Sequence, residues 1–246
     1  MSQSLIIPNW RAPSRVRAVS TTRLGGVSEA PWHALNLGSH VGDSRDAVNR
    51  NRELLTEIAG LPSEPFWLNQ IHSHHVVEAA VVDGIPDADA SFTRETGKVC
   101  IVMTADCLPV LFSNLNGTQV AAAHAGWRGL CDGVLENTLD TFDCPPQEIV
   151  AWIGPAIGPR AFEVGAEVRE IFVGAHQDAD QYFIPHGEKY LANLPKLAAL
   201  RLQSAGVVGE AIYQSQRCTF SEPEHFFSYR REGQTGRMAS LIWIAE

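Results

Sequence analysis

The sequence predicts an α+β protein in which helices flank a mixed β-sheet core, and three observations carry that reading. Strand-like segments outnumber helical ones and do not alternate with them regularly, which argues against a doubly wound parallel sheet. Two apolar runs, residues 99–104 and 109–112, have the length and composition of buried strands. Hydrophobic residues make up 45% of the 246-residue chain, enough to build a core without disulfides or structural metal. No repeat, low-complexity tract or long linker interrupts the chain, so residues 1–246 read as a single domain.

Taken in order, residues 14–22 alternate as a strand does, and Gly25-Gly26 break it. Residues 43–59 carry helix signals: Asp43 or Ser44 can cap, and Val48, Leu54, Leu55 and Ile58 recur near the helical period. A strand is expected around 66–79. The Asn114-Leu115-Asn116-Gly117 turn pairs 109–112 with a returning strand at 118–124. A helix at 133–142 ends at Pro145-Pro146, a short strand follows at 149–153, and 166–173 and 194–204 read as helices. Residues 226–230 and 238–244 are expected to close the fold as a strand pair joined through Gly233 and Gly236.

Charge narrows the partners. The chain carries 28 acidic and 19 basic residues, a net charge of −9, which argues against nucleic acid. Sixteen of the basic residues are arginine and three are lysine, and an arginine fork can grip a phosphate even on an acidic protein. Pro8, Arg11 and Pro13 deny the N-terminal stretch a signal-peptide core, and the apolar run 99–112 is too short to span a bilayer. Five cysteines, an odd number without framework spacing, point to free thiols and a cytoplasmic location with no membrane partner.

The common catalytic signatures for nucleotide hydrolysis, dinucleotide binding, serine hydrolysis and zinc proteolysis are absent. Misplaced polar residues carry the chemistry instead. Asp106 and Cys107 interrupt an apolar run, where a carboxylate is costly to bury unless paired or ligated, and Pro109 is expected to bend the chain there. His124 closes the apolar strand 120–123 and is followed by the small, flexible Ala125-Gly126-Trp127-Arg128-Gly129. The 114–117 hairpin brings Cys107 and His124 to one sheet end, as a metal site or as a Cys–His nucleophilic pair. Gln70-Ile71-His72-Ser73-His74-His75 adds a histidine cluster in which, on a strand, His72 and His74 share a face.

Thr22-Arg23-Leu24-Gly25-Gly26-Val27-Ser28, Leu35-Asn36-Leu37-Gly38, Gln70-Ile71-His72, Thr104-Ala105-Asp106-Cys107-Leu108-Pro109 and His124-Ala125-Gly126-Trp127-Arg128-Gly129 together resemble the laccase-domain family, the YfiH-type group long labelled polyphenol oxidases. Ile153-Gly154-Pro155, Phe162-Glu163-Val164-Gly165 and Phe227-Ser228-Tyr229-Arg230-Arg231 extend the resemblance over nearly the whole chain. It implies a cytoplasmic purine nucleoside phosphorylase that also takes methylthioadenosine and deaminates adenosine to inosine. The family's metal ligands fall on His72, Cys107 and His124, and a phosphate-binding arginine falls on Arg52.

Two His and one Cys leave the fourth zinc position open to water or substrate, as catalytic sites do. Zinc lowers the pKa of its water to about 7, which suits attack on the amino-bearing carbon of adenine. Phosphorolysis needs inorganic phosphate held near the ribose, for which Arg52, Arg23, Arg128 and Arg230 are the clamp candidates. Asp106 is expected to orient a metal ligand or carry a proton. Nine histidines with one His-x-His and no His-Cys-His cannot furnish a multicopper cluster, although copper in place of zinc would support weak polyphenol oxidation. A Cys–His hydrolase editing peptidoglycan precursors and a non-catalytic binding protein are the alternatives. A monomer is compatible with all of these readings.

Overall fold

The central strands run apolar without alternation because both of their faces are covered. The computed structural model describes residues 4–80 and 84–246. Its elements run β1 (Leu5–Ile6), β2 (Val16–Thr21), α1 (Arg45–Ala59), β3 (Val76–Glu78), β4 (Ala90–Thr93), β5 (Val99–Thr104), β6 (Leu108–Asn114), β7 (Val120–Ala125), α2 (Trp127–Cys131), α3 (Val134–Leu139), β8 (Ile149–Ile153) and β9 (Glu163–Val164). The chain continues through α4 (Ala166–Ala175), β10 (Phe183–His186), β11 (Lys189–Ala192), α5 (Leu194–Ser204), β12 (Ile212–Gln214), α6 (Tyr229–Glu232) and β13 (Met238–Ile244).

Two sheets dominate. One has the order β1-β2-β13-β5; the other has the order β12-β8-β6-β7-β4-β3, with β12–β8 and β3–β4 parallel and the remaining pairs antiparallel. A third, β10-β11-β9, is small and antiparallel. The strand period of two sorts side chains into layers. Cys100, Val102 and Ile242 from the first sheet meet Leu111, Val120, Ala122 and Trp152 from the second. Ile101, Met103, Leu241 and Trp243 turn the other way, toward Leu55 of α1. Val110, Phe112, Ala121 and Ala123 pack under Leu135 of α3 and Leu197 and Leu202 of α5. The result is the expected α+β fold, built as two stacked sheets between helical layers.

This stacking makes the 105–107 segment unusual. Thr104 ends β5 in the first sheet and Leu108 begins β6 in the second, so three residues carry the chain between sheets. The turn falls on Asp106, at φ 95°, a conformation rare for a non-glycine residue. Pro109 is not the bend. It lies in β6 opposite His124, and its missing N–H is harmless because the β6–β8 pairing starts only at Val110.

The strands at 99–104, 149–153 and 238–244 and the helix at 194–204 coincide with the expected bounds. Two further expectations fail. Within 66–79 only Val76–Glu78 forms a strand; Phe66 and Asn69 make isolated bridges and the histidine segment is irregular, so no strand face unites His72 and His74. Residues 226–230 do not pair with β13, which lies instead between β2 and β5; Tyr229–Glu232 is a short helix capped by the Ser228 side chain.

Glu232 ties this C-terminal segment down by accepting from Arg23, Arg231 and Thr235. Burial alone would raise its carboxyl, but these partners outweigh it and hold the pKa at about 2 against an ordinary 4.5. A depressed carboxylate stabilises the fold fully above its unfolded value and stops doing so as pH falls through its folded value. Glu232→Gln is therefore expected to cost about 1–2 kcal/mol at neutral pH, allowing for solvent screening. Thermal melts should show the gap from wild type closing between pH 4.5 and 2.

Candidate functional site

His72, Cys107 and His124 come from three separate elements and converge. Their ligand atoms lie within 4.8 Å of one another, the one such group of three or more His, Cys, Asp or Glu among the described residues. Cys107 leaves the sheet-crossing turn, His124 is the penultimate residue of β7, and His72 sits in the irregular segment at φ 61°. The Cys107 Sγ to His72 Nε2 separation is 3.7 Å. Ligands of a tetrahedral zinc stand roughly 3.5 Å apart, given metal–ligand bonds of about 2.0–2.3 Å. Donor set and spacing therefore fit a metal ion.

The residue that makes this possible is Asp89, which sequence reading missed. Its carboxylate is fully buried and accepts from the backbone N–H groups of Ile71 (3.2 Å), His72 (3.0 Å) and Ser73 (2.6 Å) and from the Ser73 hydroxyl (2.7 Å). It also lies 2.8 Å from His124 Nδ1, which leaves Nε2 for the site. One carboxylate thus shapes the His72 loop and orients His124. Burial would raise its pKa, yet the bonds from His124 and Ser73 hold it below the carboxylate range. Burial likewise opposes charge on Cys107 and His124, but their mutual attraction outweighs it, lowering the thiol and raising the imidazole.

Close packing fixes Gly126. A Cβ there would sit 2.8 Å from His72 Cδ2 and 3.1 Å from Cys107 Sγ. Gly126→Ala is expected to push the two ligands apart and lower bound metal at least tenfold by elemental analysis, with the circular dichroism spectrum preserved.

Asp106 does not perform the positioning expected of it. Its side chain turns away to accept from the Thr219 hydroxyl (2.6 Å), the Ser228 hydroxyl (3.0 Å) and the Arg230 backbone N–H (2.7 Å), which anchors the C-terminal segment. Arg23 is buried against carbonyls of His33, Pro223 and Phe226 and paired with Glu232. Arg230 reaches the Glu163 carbonyl, and exposed Arg128 stacks on its neighbour Trp127. None of these three lines the pocket over the trio, so the structure does not assemble them as a clamp there. That pocket, of about 240 Å³, is lined by His40, Tyr229 and Arg237 beside the three candidate ligands.

Arg237 is a second residue missed in the sequence, where Gly-Arg-Met looks like ordinary turn chemistry. Its Nη1 donates to the carbonyls of Thr235 and Gly236. Arg52 gives Nε and Nη2 to the Leu37 carbonyl and lies 3.7 Å over the Trp67 ring. Neither is within ion-pair distance of a carboxylate among the described residues. His40 feels both: burial first, then the charges of Arg237 and Arg52, push its pKa down.

Residues 17–245 match the family described as multi-copper polyphenol oxidoreductase laccase. The purine nucleoside phosphorylase YfiH of Escherichia coli K12 is 55% identical over 244 residues, 98% of each chain. The purine nucleoside phosphorylase of Haemophilus influenzae is 52% identical over 242 residues, 97% of this chain and 98% of that one. A crystal structure of a DUF152-family protein from Neisseria meningitidis is similar with a TM-score of 0.94 at 50% identity, covering 99% of this chain and 100% of that one. The copper in the family's description finds no multicopper donor set here, since the described residues assemble one three-ligand group. By sequence, fold and the geometry of that group, the chain belongs to the laccase-like YfiH/DUF152 family.

Proposed function

We propose that this protein is a purine nucleoside phosphorylase that holds zinc on His72, Cys107 and His124. It would cleave adenosine, inosine, guanosine or methylthioadenosine with inorganic phosphate, giving the free base and a ribose 1-phosphate (methylthioribose 1-phosphate for the last), and would also deaminate adenosine. The observation that carries this reading is Arg237, which lines the pocket over the trio with no carboxylate at ion-pair distance among the described residues, while Arg52 is near enough for its charge to act on His40 in the same lining. The relatives named for the same activity support it.

When bound, zinc supplies Lewis acidity in the pocket. The chain's own residues do the rest. Arg237 presents guanidinium charge in the pocket that a phosphate dianion would neutralise, and Arg52 adds positive charge near His40. His40, its pKa pushed down by burial and by the charges of Arg237 and Arg52, adds a hydrogen-bonding ring to the same wall. Tyr229, 62% exposed beside the pocket, offers an aromatic face to a purine. In phosphorolysis a phosphate oxygen bonds to the anomeric carbon as the carbon–nitrogen bond breaks, and the purine leaves with its electron pair and takes up a proton. Holding phosphate against that carbon is the contribution expected of the arginines.

The test is a nucleoside panel assayed with and without phosphate and resolved by product chromatography. Free adenine or hypoxanthine should appear only with phosphate, and inosine should form from adenosine without it. Absence of free purine in the presence of phosphate, with His124→Ala behaving as wild type, overturns the proposal. Arg237→Met is expected to raise the KM for phosphate about tenfold or more while moving the KM for nucleoside much less.

The lowered Cys107 thiol favours one second reading, a Cys–His hydrolase acting on peptidoglycan precursors. It predicts activity that survives a chelator; the phosphorylase reading predicts loss on chelation and recovery with zinc. A cytoplasmic location is part of this proposal; among the described residues no helix is long and apolar enough to cross a membrane.

A further inference from the structure

A larger cleft, of about 440 Å³, shares no lining residue with the pocket over the metal ligands. It opens where the parallel strands β8 and β12 end together, at Ile153 and Gln214. The crevice beyond the carboxyl ends of parallel strands is a recurrent ligand position. Its lining includes Gln216 at φ 56°, an uncommon conformation for a non-glycine residue.

The charge in this cleft is unbalanced. Arg217 is paired with Glu222, so the one carboxylate in the lining is already neutralised. Arg160 and Lys196 also line it, and neither side chain makes a hydrogen bond or ion pair among the described residues. Two unbalanced cations facing one cleft are a notable concentration on a chain of net charge −9. The lining also holds neutral groups: among the described residues the side-chain amides of Gln214 and Gln216 make no hydrogen bond, and Asn193 uses only its Oδ1, on the Lys196 backbone N–H. Cations suit a phosphate, and free amides, which both donate and accept, suit hydroxyl groups.

We infer that this cleft is a binding site for a phosphorylated sugar, separate from the metal pocket. Arg160 and Lys196 hold the phosphate, and Gln214, Gln216 and Asn193 meet the sugar hydroxyls. The inference rests on the cleft alone and stands whether or not the chain is a phosphorylase.

The experiment is calorimetric titration of ribose 5-phosphate, ribose and inorganic phosphate into the zinc-loaded protein, its R160A/K196A variant and an Arg237→Met variant. Both replaced cations of the double variant are exposed, and its circular dichroism spectrum and catalytic rate should match wild type. Expected are saturable binding of ribose 5-phosphate by wild type and Arg237→Met alike, at least tenfold weaker binding by R160A/K196A, and weaker binding of ribose and of phosphate. Absence of saturable binding, or full binding by R160A/K196A with loss in Arg237→Met, overturns the site. Inorganic phosphate binding as tightly as the ester overturns the assignment to a sugar phosphate.

Discussion

Cys107→Ala is expected to lower phosphorolysis at least 100-fold and to leave the protein with little metal after purification. Two imidazoles alone are a poor anchor for zinc, and the thiolate is the one anionic donor among the three. The Cys107 side chain is on a turn at the edge of the sheets rather than in their core, so the fold should survive, as thermal melting would show. Metal analysis and activity must fall together. Retained metal with lost activity would assign Cys107 to nucleophilic chemistry instead, and retained activity with metal lost would remove the metal from the mechanism.

The Asp89 variants should have the largest effect on stability. Asp89→Ala strips acceptors from three backbone N–H groups and the Ser73 hydroxyl and removes the partner of His124. Losing a buried charged acceptor costs about 3–5 kcal/mol. For a chain of this size that is a drop of roughly 10 °C or more in Tm. Asp89→Asn keeps the shape but turns an –NH2 toward donors, so a smaller loss of stability should accompany a 10–100-fold loss of metal affinity. Equal metal content in wild type and Asp89→Asn would show that the carboxylate serves the loop alone.

The two variants also mark where the sequence could be read and where it could not. Cys107 and His124 stand out because each breaks an apolar run, and a short hairpin makes their meeting local. Asp89 carries no such mark. It lies 17 residues from His72 and 35 from His124, in a polar stretch where an aspartate is unremarkable. Asp106 misled for the complementary reason: being beside a ligand suggested service to it, whereas its φ of 95° turns the side chain toward Thr219 and Ser228. The arginines divide in the same way. Arg23 is consumed by Glu232 and backbone carbonyls that are remote in sequence, while Arg237, inconspicuous in its turn, reaches the pocket.

Local physics accounts for what was legible. Strands at 99–104 and 149–153, the helix at 194–204 and the β6–β7 hairpin follow from apolar period, turn chemistry and caps, all of which act over a few residues. The segment 226–230 looked like a strand because Phe226 and Phe227 are apolar. In the fold both rings are buried in a cluster with Ala105 and Met238, and Ser228 starts a helical turn. Pattern along the chain suffices for the α+β class and for the Cys–His meeting, and resemblance adds His72 as the third candidate ligand. Which carboxylate supports those residues, and which arginine reaches the pocket, emerge with the folded chain. Those properties depend on partners tens to hundreds of residues away, and a buried charge is defined by the partners it finds.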